Sequence, residues 1–325
     1  MKKIKYFLLA AVSVSLLGVL TACGGSENDN EIHIGYFNNV THAQALVMKA
    51  NGTLEEALGD GVSVEWTAFN AGPAEQEALF SGDIDIGYIG PVPAINANSK
   101  SEGDIQILTG ATKGGAILVK REGSDIESVS DLAGKTVAVP QIGNTQHLCL
   151  LNLLAENGLA PTTEGGDVTV SAISNADVAN TMERGDVDAA LIPEPWGATL
   201  LEQGAEMVMD YEEIYMDGDY DVAVVVVRKE FMEEHPDLVE TFLEVHEQTT
   251  EEINQDLETA LVTINQELDE STGKSLSDSV LQEAFTRINV WSDLNYEAIF
   301  DFARICKEQN FIEEVPPDEQ LYVSR

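Results

Sequence analysis

From residue 31 onward, short apolar runs alternate with longer stretches whose apolar residues recur every three or four positions, the pattern of strands alternating with amphipathic helices. Ile32, Ile34 and Tyr36 predict a strand over 32–36, the run at 43–49 a helix, and Val62, Val64 and Trp66 a second strand. A helix follows Asn70-Ala71, and a third strand ends in Gly90-Pro91. The same order returns about 104 residues later. A strand at 136–139 leads through Gly143-Asn144-Thr145-Gln146 into a helix carrying Leu148, Leu150, Leu151 and Leu154. A strand at 168–170, a helix after Asn175-Ala176 and a strand ending in Pro193-Glu194-Pro195-Trp196 complete the second copy. Thr41 then matches Thr145, and Gly82 matches Gly185. Strand–helix alternation predicts parallel sheets covered by helices, and the duplication predicts an α/β protein of two such lobes with a cleft between them.

Two apolar strands lie outside the copies, at 116–119 and 222–227, each followed by a basic residue. They are expected to carry the chain to the second lobe and back, as a hinge. Lobe 1 is accordingly drawn as 32–118 and 226–325, and lobe 2 as 119–225. Helices are expected after His235 and along Leu257, Leu261, Ile264 and Leu268, with Ser277 and Ser292 capping two more; all are assigned to lobe 1.

The first 31 residues differ in kind. Lys2, Lys3 and Lys5 precede an apolar stretch over 6–20, shorter than the roughly 20 residues that span a bilayer, so 1–22 reads as a secretory signal. It ends in Leu20-Thr21-Ala22-Cys23-Gly24, which resembles the bacterial lipobox; Cys23 is the expected lipid acceptor, and 23–31 a polar tether. This places the chain outside the cytoplasm as a cell-membrane lipoprotein.

Charge narrows the partners. The 325 residues carry 17 Lys plus Arg against 57 Asp plus Glu, a net −40, which leaves no basic face for nucleic acid and disfavours docking on an anionic membrane other than through the lipid. Cys149 and Cys306 are simplest as buried apolar residues.

In open parallel sheets a ligand sits beyond the carboxyl ends of the strands. There Thr41 and Thr145 are expected to open helices, and their hydroxyls and first-turn amides suit an anion, although each equally serves as a plain N-cap. His42, Asn144 and Gln146 share those loops. Asn70 and Asn175 occupy matching turns and serve either a ligand or their own backbone. Gly90-Pro91 shapes the cleft floor, Gly115 permits close backbone approach, and Trp196 either covers an organic tail or belongs to the core. Glu194 has two readings: it is held by amides of its own turn, or it meets an ammonium group of a zwitterion such as taurine. Lys113 is the one cation among these loops. His42 and His147 make too thin a set for a metal, and the Asp-x-Asp pairs at 83/85 and 186/188 sit at the strand starts, remote from the cleft, so neither metal nor cofactor is expected.

Taken together, Gly35-Tyr36-Phe37, Thr41-His42-Ala43, Phe69-Asn70-Ala71-Gly72-Pro73, Gly90-Pro91, Gly143-Asn144-Thr145-Gln146 and Pro193-Glu194-Pro195-Trp196 resemble the extracytoplasmic binding proteins of nitrate, sulfonate and taurine ABC importers, above all the aliphatic-sulfonate branch. The resemblance covers residues 31–325. It implies a type II periplasmic-binding fold, a small organic anion clamped between the lobes of a monomer, and a membrane permease with its ATPase as partners. Asn38 and His147 depart from the family pattern. Nitrate and a pyrimidine-type thiamine precursor are alternative ligands. An enzyme resembling pyrimidine-precursor synthases is the rival class, disfavoured by the signal and by the absence of a nucleophile elbow or phosphate loop.

Overall fold

The computed structural model describes residues 31–323; the expected signal, Cys23 and the tether up to residue 30 lie outside them. In chain order the strands are β1 (Glu31–Phe37), β2 (Ser63–Phe69), β3 (Ile86–Ile89), β4 (Ile105–Gly114), β5 (Ala116–Lys120), β6 (Thr136–Val139), β7 (Thr169–Ala172), β8 (Ala189–Pro193), β9 (Glu206–Met209), β10 (Asp221–Arg228) and β11 (Ile288–Val290). They form two sheets, ordered β11-β4-β10-β3-β1-β2 and β7-β6-β8-β5-β9. In each sheet the copy's first strand lies between two parallel neighbours, and the next strand inward is antiparallel: β10 against β3, and β5 against β8. The repeat in sequence is thus a repeat in topology, with one central strand of each sheet supplied from outside its own copy. This is the two-lobed type II periplasmic-binding fold.

The lobe borders move. All of β5 pairs in the second sheet and all of β10 in the first, so the borders drawn at 118/119 and 225/226 fall inside strands. An apolar central strand needs ladder partners on both sides along its whole length and cannot change sheets midway. Sheet membership changes instead at Gly114 and Gly115, whose φ of +69° and +74° favour glycine, and along 210–220. The ring of Tyr211 lies against both Gly114 and Gly218, joining the two crossings.

A second duplicated device closes the far end of each sheet. Asp85 Oδ2 accepts from the His33 amide at 2.9 Å and Oδ1 from Arg228 Nη2 at 2.9 Å. Asp188 repeats this with the Thr136 amide at 2.9 Å and Arg121 Nε at 3.4 Å. Arg228 at the end of β10 and Arg121 just after β5 therefore have a structural task, as has the second Asp of each pair. Asp83 and Asp186 bond locally to Ser81 and Arg184.

Among the C-terminal helices, Ser277 does cap Asp278–Phe285, accepting from the Val280 amide at 3.2 Å. Helix Tyr296–Glu308 is capped by Asn295 rather than Ser292, because the Asn295 side chain accepts from the Ala298 amide at 3.1 Å. That helix is not confined to lobe 1. Its Ile299, Phe302 and Cys306 share one apolar cluster with Cys149 and Leu153 of helix Thr145–Glu156, so it packs on both lobes. Both thiols are free and buried.

Helix Gly72–Ser81 places Glu75 wholly inside lobe 1, where neither carboxyl oxygen finds a partner. Gly35 and Gly87 leave it room; a Cβ on either would stand 2.5 and 2.6 Å from Oε1. Burial pushes this carboxyl well above its ordinary value of 4.5, so the folded chain keeps a proton that the unfolded chain releases. Stability therefore falls as pH rises above 4.5, until the folded group ionises. Relative to the wild type, Glu75→Gln should gain about 1.4 kcal/mol per pH unit over that window. Urea unfolding from pH 5 to 8 checks this, and a difference that does not change with pH would remove Glu75 as the buried proton carrier.

Candidate functional site

The carboxyl ends of β1, β2, β3, β6, β7 and β8 converge between the lobes on a cavity of about 40 Å³. Room for one water needs about 10–15 Å³ on this scale, so the space suits a compact ligand with a short tail.

On the lobe 1 side, Asn39 rather than Thr41 caps the turn Val40–His42. Its Oδ1 accepts from the Thr41 amide at 2.9 Å and from the Thr41 hydroxyl at 3.0 Å, because an Asn side chain reaches the backbone two residues on. Thr41 lines the cavity as expected, and in this structure both its donors are taken by Asn39 Oδ1. Asn39 Nδ2 takes no partner among the described residues and is a free donor on this wall. His42 also lines the cavity; its Nδ1 accepts from the Phe37 amide at 3.1 Å, and its ring stacks on Phe37 at 4.3 Å. Burial lowers its pKa to about 3, so the ring is neutral and carries its proton on Nε2.

The lobe 2 side is built on the same plan. Asn144 is the N-cap, accepting from the His147 amide at 2.8 Å and donating to Gln146 Oε1 at 3.1 Å, so Gln146 Nε2 is left as a donor. Thr145 is the first helical residue. Its Oγ1 is buried without a partner, and among the described residues neither the Thr145 nor the Gln146 amide has an acceptor. His147 repeats the bond of His42 with the Gly143 amide at 3.1 Å, but it stacks on Phe311 away from the cavity.

Asn70, Ala71, Gly72, Gly90, Pro93 and Val222 complete the lobe 1 wall, and Pro140, Asn175 and Pro193 the lobe 2 wall. Among the described residues, no Lys, Arg, Asp or Glu lines the space. Of the residues expected here, Thr41, His42, Asn70, Gly90, Asn144, Thr145 and Gln146 are brought together; Pro91, Gly115, Glu194 and Trp196 are not. Pro91 is buried as the first residue of helix Pro91–Lys100, behind Gly90. Gly115 gives its carbonyl to the Glu194 amide at 2.7 Å, beside the pivot. Trp196 is half-buried on the apolar cluster of Ile117, Val178 and Ile192.

Glu194 is the largest correction. It is wholly buried and faces away from the cavity: Oε2 accepts from the Ala198 amide at 2.8 Å and Oε1 from Arg287 Nη1 at 3.0 Å. Arg287 also binds Asp210 at 2.9 Å and Glu283 at 2.5 Å. Burial raises the Glu194 pKa, and the Ala198 amide and Arg287 oppose it. The ammonium-partner reading of Glu194 therefore fails, since its carboxylate is engaged in a link between lobes. Lys113 lies outside the cavity, bonded to Asp219 at 2.6 Å and over the Trp291 ring. The sequence missed Phe37 and Asn39; the Asn two residues before Thr41 was the available signal.

Two duplicated lobes thus meet at a small cavity whose described lining carries no charged side chain. Residues 25–264 match the NMT1-like family, and the chain belongs to that family. The taurine-binding periplasmic protein of Escherichia coli K12 is 34% identical over 201 residues, 61% of this chain and 59% of that protein, so the match spans less than two thirds of its length. A Bacillus subtilis protein named for binding aliphatic sulfonates is 30% identical over 72% of this chain and 70% of its own. Among solved structures, the alkanesulfonate-binding protein SsuA of Xanthomonas axonopodis pv. citri bound to MOPS superposes with a TM-score of 0.73 at 23% identity, covering 89% of this chain and 95% of that one.

Closure can be tested sterically. Gly90 has a φ of −67° that alanine tolerates, yet a Cβ there would stand 2.5 Å from Thr145 Oγ1 across the cleft. Gly90→Ala should leave the lobes folded and weaken ligand binding about tenfold or more through the overpacked contact. Calorimetric affinity equal to wild type would show that the lobes do not meet at this point.

Proposed function

We propose that this chain is the solute-binding component of an ABC importer, that it captures a short organic sulfonate and delivers it to a permease and its ATPase, and that a lipid on Cys23 anchors it outside the cell membrane as a monomer. The observation that carries the ligand class is the donor set. The unpartnered Thr145 hydroxyl, the free Thr145 and Gln146 amides and His42 Nε2 offer hydrogen bonds without any fixed charge. A helix start and neutral donors suit a monoanion whose several oxygens each accept. The relatives named for taurine and aliphatic sulfonates support the same class. A binding protein rather than an enzyme fits the chemistry, since the one titratable side chain of the lining, His42, stays neutral down to about pH 3 and exchanges no proton near neutrality.

A melting-temperature screen checks the ligand. Ethanesulfonate or taurine at a hundredfold excess over its Kd should stabilise the protein by about 2.7 kcal/mol, while octanesulfonate, too long for the cavity, should not. Stabilisation by nitrate or a thiamine-type pyrimidine alone would overturn the assignment. For the anchor, Cys23→Ala should move the protein from the membrane to the soluble fraction; retention in the membrane would mean a different anchor.

A further inference from the structure

The cavity holds an acceptor as well as donors. Asn175, at the start of the turn Asn175–Asp177 after β7, lines the space, and its Oδ1 is buried with no donor among the described residues. A buried carbonyl oxygen without a partner destabilises the folded chain, and a ligand N–H or O–H would remove that cost. An ammonium donor would bring a full charge into a lining that has no carboxylate, since Glu194 is committed to Arg287. An uncharged hydroxyl meets the same oxygen without that penalty.

We infer that Asn175 forms a second subsite that accepts a hydrogen bond from an uncharged hydroxyl of the ligand, so that the favoured class is short hydroxyalkanesulfonates. This rests on the sulfonate assignment made above. The sulfonate end takes the Thr145 and Gln146 amides and the Thr145 hydroxyl, and the hydroxyl end takes Asn175 Oδ1. The small volume limits the carbons between them.

The test is calorimetry with three probes of nearly equal size: ethanesulfonate, 2-hydroxyethanesulfonate and taurine. The wild-type protein should bind 2-hydroxyethanesulfonate about tenfold tighter than ethanesulfonate, the effect of satisfying one buried acceptor, and tighter than taurine. Asn175→Ala should bring the ratio of the first two near one. Asn175→Asp, which turns the neutral acceptor into an anion, should move the preference to taurine. Equal wild-type affinities for ethanesulfonate and 2-hydroxyethanesulfonate would overturn the subsite and leave the sulfonate assignment standing, as would taurine binding tightest. If none of the three binds, the sulfonate assignment itself falls, and the subsite with it.

Discussion

A polar group buried away from water must find a partner, and in this protein the cleft is where that requirement is left open. The Thr145 hydroxyl is buried between the lobes, yet among the described residues no atom hydrogen-bonds to it. Asn175 Oδ1 is in the same position. A closed clamp with unpaired groups is less stable than one whose groups are paired, so a ligand that paired them, as proposed, would supply part of the bonding between the lobes. Affinity and closure are then the same free energy seen from two sides.

Such a site reconciles the proposed anion with a chain of net charge −40. Distant surface carboxylates are screened over about 10 Å at ordinary ionic strength, whereas first-turn amides act at contact. The nearest acidic group in sequence, Glu194, is paired with Arg287 and turned from the cavity. Arg287 joins three carboxylates close to the Gly114–Gly115 pivot, where a link between lobes shifts least as they rotate.

Much of this was legible in the residues. The repeat of strand, polar loop and helix gave two lobes, and the carboxyl-end rule gave the loops of Thr41, Asn70, Gly90 and Thr145 as the site. The threonines were harder to read. One Asn–Thr spacing made Asn39 absorb both donors of Thr41, while Asn144, adjacent to Thr145, bonded to His147 and left the hydroxyl free. The difference is a single residue of spacing between cap and threonine.

Local pattern by itself determined the elements, the duplication and the end of each sheet that receives a ligand, because hydrophobic periodicity and turn residues act over a few neighbours. Which carboxylate is paired, where the chain changes sheets and which polar atoms remain unsatisfied were decided only by tertiary structure. Glu194 lies 93 residues from Arg287, and Gly90 meets Thr145 across a cleft that exists only once both lobes have formed. Those contacts depend on how the two sheets are set against each other, and no local pattern carries that geometry.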